Sequence, residues 1–268
     1  MESRHFCILL LVMLGISILT GTKFERNLLS VEDARKLANV APLTSSRIVG
    51  GSTASPNQFP HQVALLRWNS LLCGASLITD KWVLTAAHCI LIGNQVVPAS
   101  QVSVLAGTTI LNQGGVRQNV RRIIPHERYG NFRNDIAVLE LDHGFQLSSS
   151  IATIALCRST VPGGSTVTIS GWGRLYNYGP LSTVLRYNRA TALASHECAL
   201  EMGTSTGLIC LKSPANNGAC NGDSGGPAVY NNEVVGVANF VVNGCGSVRS
   251  DGYAQVSDFV QWIESKIN

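Results

Sequence analysis

Charged side chains are scarce in this 268-residue chain: they make up 13% of it, while 45% is apolar. An average soluble protein carries roughly 25% charge. Low charge with ample apolar content excludes a disordered chain, which needs the opposite balance. The 20 basic residues are scattered among 16 acidic ones for a formal +4, so no nucleic-acid partner is expected. Long apolar runs are lacking too. Phe6–Leu19 is broken only by small residues, yet a helix crossing a bilayer core needs roughly 20 apolar residues. No later run reaches membrane length, so no membrane partner is expected. Cys-x-x-Cys and His-x-x-x-His pairs are absent, which argues against zinc even though His88 stands beside Cys89. There is no Asn-x-Ser/Thr acceptor for N-glycosylation either.

Arg4, the short apolar run, and then Gly15, Ser17, Thr20 and Gly21 read as a secretory signal over 1–21. The cleavage point stays open, with small residues available at Gly15 and Ser17 or at Gly21. Residues 22–47 carry Lys23, Arg26, Arg35, Lys36 and Arg47, contain no cysteine, have the makings of one short amphipathic helix and read as a pro-segment or linker rather than a domain. From 48 to 268 the chain carries 14 basic and 12 acidic residues, which singles out no polyanionic partner. Export makes the seven remaining cysteines (Cys73, Cys89, Cys157, Cys198, Cys210, Cys220 and Cys245) candidates for disulfides, with one left over.

Beyond Ile48 the chain reads as short strands bounded by Gly, Pro and Asn. They are Gln62–Leu66, Gly74–Ile78, Trp82–Ala86, Gln101–Leu105, Asp135–Leu141, Thr166–Ser170 and Val234–Phe240. Phe259, Trp262, Ile263 and Ile267 recur at helical spacing, with Ser257 as the expected cap and Lys266 in the last turn. The expectation is a β barrel or sandwich with one terminal helix, and no internal repeat is visible.

Three segments concentrate chemistry. Leu84-Thr85-Ala86-Ala87-His88-Cys89 ends an apolar strand, Asn134-Asp135-Ile136-Ala137-Val138-Leu139 enters one, and Cys220-Asn221-Gly222-Asp223-Ser224-Gly225-Gly226-Pro227 is glycine-rich. Singly, each has an ordinary reading: a core histidine, a turn aspartate, a turn. Together they resemble the chymotrypsin-like serine endopeptidases, a likeness covering Ile48–Asn268. Arg47-Ile48-Val49-Gly50-Gly51, Cys73-Gly74-Ala75-Ser76-Leu77-Ile78 and Ser170-Gly171-Trp172-Gly173 support it. The family's order of His, then Asp, then Ser is kept.

The resemblance implies an all-β fold of two six-stranded antiparallel barrels with a C-terminal helix, and a peptidase domain over 48–268. It implies Ser224 as nucleophile, His88 as its base and Asp135 as the group that orients the imidazole. The N–H groups of Gly222 and Ser224 form the oxyanion hole, where losing one donor costs about 3 kcal/mol. Cleavage after Arg47 frees the Ile48 amine to pair with Asp223, so the precursor is expected to be an inactive zymogen. Pairings Cys73–Cys89, Cys198–Cys210 and Cys220–Cys245 follow the same likeness, and Cys157, without an obvious partner, is expected as a free thiol or an intermolecular link.

Some positions depart from the family pattern. Gly218 stands where trypsin-like members carry an aspartate. Val241 narrows the pocket entrance as in elastase-like members, while Asp251 places a carboxylate near its base, as in brachyurin-type enzymes. Small or medium apolar P1 residues are expected. Asn239 replaces a serine that commonly bonds the catalytic Asp. Calcium is not expected, because no acidic residue occurs between Lys81 and His126. No cofactor or metal is implied. The expected partners are protein or peptide substrates, an activating protease and proteinaceous inhibitors of a secreted monomer, with digestion as the default role. The rival is a catalytically weak homologue that acts as a binding protein.

Overall fold

The computed structural model describes residues 49–93 and 95–268. The signal reading (1–21), the pro-segment (22–47) and the Arg47–Ile48 bond lie outside the described residues. Six strands pair first: β1 (Gln62–Arg67), β2 (Ser70–Leu77), β3 (Trp82–Thr85), β4 (Val102–Ala106), β5 (Val116–Pro125) and β6 (Ala137–Leu141). They close an antiparallel barrel in the order β1-β2-β3-β6-β5-β4. The β1–β2 turn consists of Trp68 and Asn69, both at positive φ (47° and 67°), which gives a two-residue turn the twist that adjacent strands need. Inside, Val63, Leu65, Leu77, Val83, Leu84, Val104 and Leu139 are fully buried. Each such side chain contributes about 1.5–3 kcal/mol of burial.

A second set follows: β7 (Thr166–Gly171), β8 (Arg186–Ala192), β9 (Leu208–Lys212), β10 (Pro227–Tyr230), β11 (Glu233–Phe240) and β12 (Asp251–Gln255). Its order is β7-β8-β9-β12-β11-β10, closed between β7 and β10. Both barrels therefore follow one strand order, although no repeat is visible in the sequence. Backbone pairing imposes that order, and it constrains side chains only to point inward or outward. The fold is the expected one of two six-stranded antiparallel barrels.

Five of the twelve strands do not announce themselves in sequence. β5 (VRQNVRRIIP) carries three exposed arginines, and β8 (RYNRATA) has an exposed Arg189 and a buried Arg186, so their apolar content is low. β9, β10 and β12 are four or five residues long, and β12 contains Gly252. Helix α1 (Ser195–Met202) also escapes the sequence reading. The terminal helix, α2, runs Val260–Ile267. Ser257 is not its cap. It lies in a preceding 3-10 turn, Val256–Asp258, with its hydroxyl buried and unpartnered, because that extra turn shifts the helix start to Phe259.

Helix α2 returns to the first barrel, where Phe259, Val260 and Ile263 join the core that holds Leu139. Trp262 Nε1 donates to Glu127 Oε2 at 2.8 Å and Lys266 Nζ stands 2.5 Å from Glu127 Oε1. Trp172, Leu66, Leu105 and Leu185 form a smaller cluster that joins residues of both barrels.

Candidate active site

Strands β3 and β6 pair Thr85 with Ala137. That register puts His88, three residues past Thr85, beside Asp135, two residues before Ala137. His88 lies in a 3-10 turn, Ala87–Cys89, which the Cys73–Cys89 disulfide ties to β2. Asp135 is wholly buried. Its Oδ2 lies 2.7 Å from His88 Nδ1, and its Oδ1 accepts the His88 backbone N–H at 2.9 Å. One carboxylate thus grips both ring and backbone. With Nδ1 as the donor, the neutral ring presents Nε2 as its acceptor.

Ser224 stands on a folded loop. Asp223 N–H donates to Cys220 O, Gly226 N–H to Asp223 O, and Gly225 N–H to Ala238 O, at 2.8–2.9 Å. Gly74 of the first barrel donates its N–H to Ser224 O at 2.8 Å. Gly74 adjoins Cys73, whose disulfide reaches the residue next to His88, so the three motifs converge. Gly225 sits at φ +74°, and a Cβ there would lie 2.1 Å from Thr85 Oγ1, so only glycine fits where the barrels touch. Gly222, at φ +101°, adopts another backbone shape that side chains resist. Among the described residues neither Gly222 N–H nor Ser224 N–H makes a hydrogen bond, so both are free to meet an oxyanion. The Ser224 hydroxyl makes no hydrogen bond to His88 there either. Such contacts are often long without substrate and tighten in its complex.

The Asp223 carboxylate is buried behind Ser224. It accepts Gly173 N–H at 2.7 Å and Cys220 N–H at 2.9 Å. Burial pushes its pKa up to about 6 despite these two donors, and it has no ion pair among the described residues. Val49, which follows Ile48, bridges to Gly218, whose N–H reaches Val49 O at 3.1 Å.

A cavity opens beside Ser224, lined among others by Ala219, Asn221, Phe240, Val241 and Tyr253. Gly218 and Asp251, expected at its base, are not among its lining residues. Asp251 is buried and turns one oxygen to Ala219 N–H at 3.3 Å. Burial, then the Asp223 charge, pushes its pKa up to about 7. The Ser213 hydroxyl, also facing Gly218, is buried without a partner. Asn239 bonds Phe132, not Asp135. Phe132, 55% exposed, stands edge-on to Phe240 at 5.7 Å. The sequence reading missed Phe132, for it lies in a polar turn with no apolar periodicity.

Disulfides join Cys73–Cys89, Cys198–Cys210 and Cys220–Cys245, and Cys157 is a buried free thiol. Cys73, His88 and Cys89 cluster at metal-ligand range, but the two sulfurs are consumed by their disulfide and offer no thiolate. No helix among the described residues is long and apolar enough to cross a membrane.

Known proteins agree with this geometry. A family profile described as Trypsin matches residues 48–263. Serine protease SP24D of Anopheles gambiae is 62% identical over 220 residues, 82% of this chain and 81% of that protein. Brachyurin of Leptuca pugilator is 36% identical over 227 residues, 82% of this chain and 98% of its own. The solved structure of mouse neuropsin, a serine protease, superposes with a TM-score of 0.74 at 26% identity, covering 81% of this chain and 99% of neuropsin. Two closed barrels, a buried carboxylate gripping an imidazole and these likenesses lead to one conclusion: the chain belongs to the trypsin family and is a serine endopeptidase.

Proposed function

We propose a secreted endopeptidase, made as a zymogen, that hydrolyses peptide bonds through an acyl-enzyme on Ser224. His88 Nε2 takes the Ser224 proton as Oγ attacks the scissile carbonyl, and later passes it to the leaving amine. Asp135 holds the tautomer and stabilises the imidazolium. The free N–H groups of Gly222 and Ser224 receive the oxyanion. The grip of Asp135 on His88 at 2.7 and 2.9 Å is the observation that carries this reading. With its ring oriented by the Asp135 carboxylate, His88 can act as the base without a cofactor.

Activation follows from Asp223. A buried carboxylate without a cation costs several kcal/mol. Cleavage after Arg47 would supply one as the Ile48 amine, and Val49 already docks at Gly218. Val241 at the cavity wall and Asp251 set back from the lining favour small or medium apolar P1 residues of protein substrates. Digestion by a monomer, checked by proteinaceous inhibitors, is the setting this suits. A second reading, a catalytically weak homologue that binds proteins, draws on the missing Ser224–His88 hydrogen bond. Labelling with a biotinylated organophosphonate after cleavage at Arg47 decides between them. Modification of Ser224, abolished by S224A, is the expected result. No modification of fully cleaved, folded chain overturns the peptidase mechanism.

A further inference from the structure

We propose that Asn239 is a positioning residue, whose amide holds the loop that delivers Asp135 to His88. This rests on the triad reading above. Asn239 is the last of six consecutive buried residues in β11. Its Nδ2 donates to Phe132 O at 2.8 Å across 107 residues of sequence, from the second barrel to the first.

The loop it holds is strained. Gly130 and Arg133 exchange backbone hydrogen bonds at 2.9 and 3.2 Å. Within that tight turn Asn131 and Phe132 sit at φ 48° and 60°, and Asn134 follows at 51°. A left-handed conformation is unfavourable for a residue such as Phe, so ties from outside help the loop keep its shape. Three ties exist. Asn134 Nδ2 donates to Arg128 O at 2.8 Å within the same β5–β6 connection, the Phe132 ring meets Phe240, and Asn239 reaches the Phe132 carbonyl. Of these three, the Asn239 amide is the one that is both polar and anchored in the other barrel.

Asp135 comes directly after this loop, and among the described residues the hydrogen bonds of its carboxylate run to His88. A shift of the loop therefore turns the carboxylate relative to the imidazole. Asn239 Oδ1 is buried without a partner, a cost to stability that a smaller residue would avoid. What the asparagine adds is reach: its N–H lies one bond farther from Cβ than a serine hydroxyl does. It thus ties the loop where a serine would stop short.

The test uses the chain cleaved after Arg47 and its inactivation by diisopropyl fluorophosphate, a small probe that makes little demand on the pocket. N239A is expected to lower the maximal inactivation rate about 10-fold, leave the concentration dependence within 3-fold, and move the acidic limb of the pH profile downward, because the imidazolium loses support. N239D cannot donate when ionised and adds a negative charge. It should slow inactivation at least as much and move that limb upward. If both variants keep the wild-type rate and limb while only thermal stability changes, the inference fails. Weaker probe binding at an unchanged rate also refutes it, assigning Asn239 to the cavity wall instead. If wild-type chain itself resists the probe, the triad reading has failed, not this one.

Discussion

The N–H of Gly74, in β2 of the first barrel, donates to the carbonyl of Ser224, in the second barrel, at 2.8 Å. The proposed nucleophile is thus held at its backbone by the barrel that carries its proposed base. Position, more than any single contact, is what the two barrels supply, and errors near 1 Å can cost a factor of about 100 in rate.

Gly225 tests that dependence. Alanine there must adopt φ +74° with its Cβ 2.1 Å from Thr85 Oγ1 and 2.5 Å from Gly74 O. G225A should push the Ser224 loop off the first barrel and lower organophosphonate labelling at least 100-fold. Stability should drop by roughly 1–3 kcal/mol, as overpacking does. Labelling at the wild-type rate would show that the inter-barrel contact does not place Ser224.

Asp135 tests the tautomer. D135N keeps the shape but puts an amide N–H against either His88 N–H or Nδ1–H. The ring then turns Nδ1 into the acceptor and places the proton on Nε2, where it cannot receive one from Ser224. Turnover of a peptide substrate should fall about 10⁴-fold at pH 7 with the melting temperature changed little by comparison. A loss below 10-fold would remove Asp135 from the mechanism.

Asp223 tests activation through pH. Its folded carboxyl is pushed up to about 6, from an ordinary 3.8. Between those values the unfolded chain has lost the proton and the folded chain keeps it, so the Asp223 contribution to stability falls as pH rises from 4 to 6. The cost is on the order of 3 kcal/mol. His61, pulled down to about 4 by burial, acts oppositely: its neutral folded form makes stability rise from pH 4 to 6.5. The comparison is therefore made between two uncleaved precursors, R47Q and R47Q/D223N. The second should gain stability on the first steadily from pH 4 to 6, whatever constant offset the lost backbone hydrogen bond adds. Denaturant melts read this directly, and parallel pH profiles would exclude a buried carboxylate waiting for a cation. R47Q should also show no organophosphonate labelling.

The motif residues were legible in sequence because their chemistry permits few substitutes. A turn as tight as Gly222–Gly226 needs glycine, and a hydroxyl, an imidazole and a carboxylate are each nearly irreplaceable in their roles. The seven strands read from sequence are those with apolar inner faces and clear turn residues. β5 and β8 hid behind their arginines and low apolar content, and β9, β10 and β12 were too short to show a period. Their strand state comes from the partners they pair with, most of them well separated in the chain.

Sequence alone thus determined the all-β class, the terminal helix and which side chains can do chemistry, because residue type and local spacing carry that information. The tertiary structure decided the shared strand order of the barrels and the withdrawal of Asp251 from the cavity wall. It also decided that Asn239 answers Phe132 rather than Asp135. Those are contacts between residues far apart in the chain, set by how two closed sheets pack, and no local pattern encodes a distance across that interface.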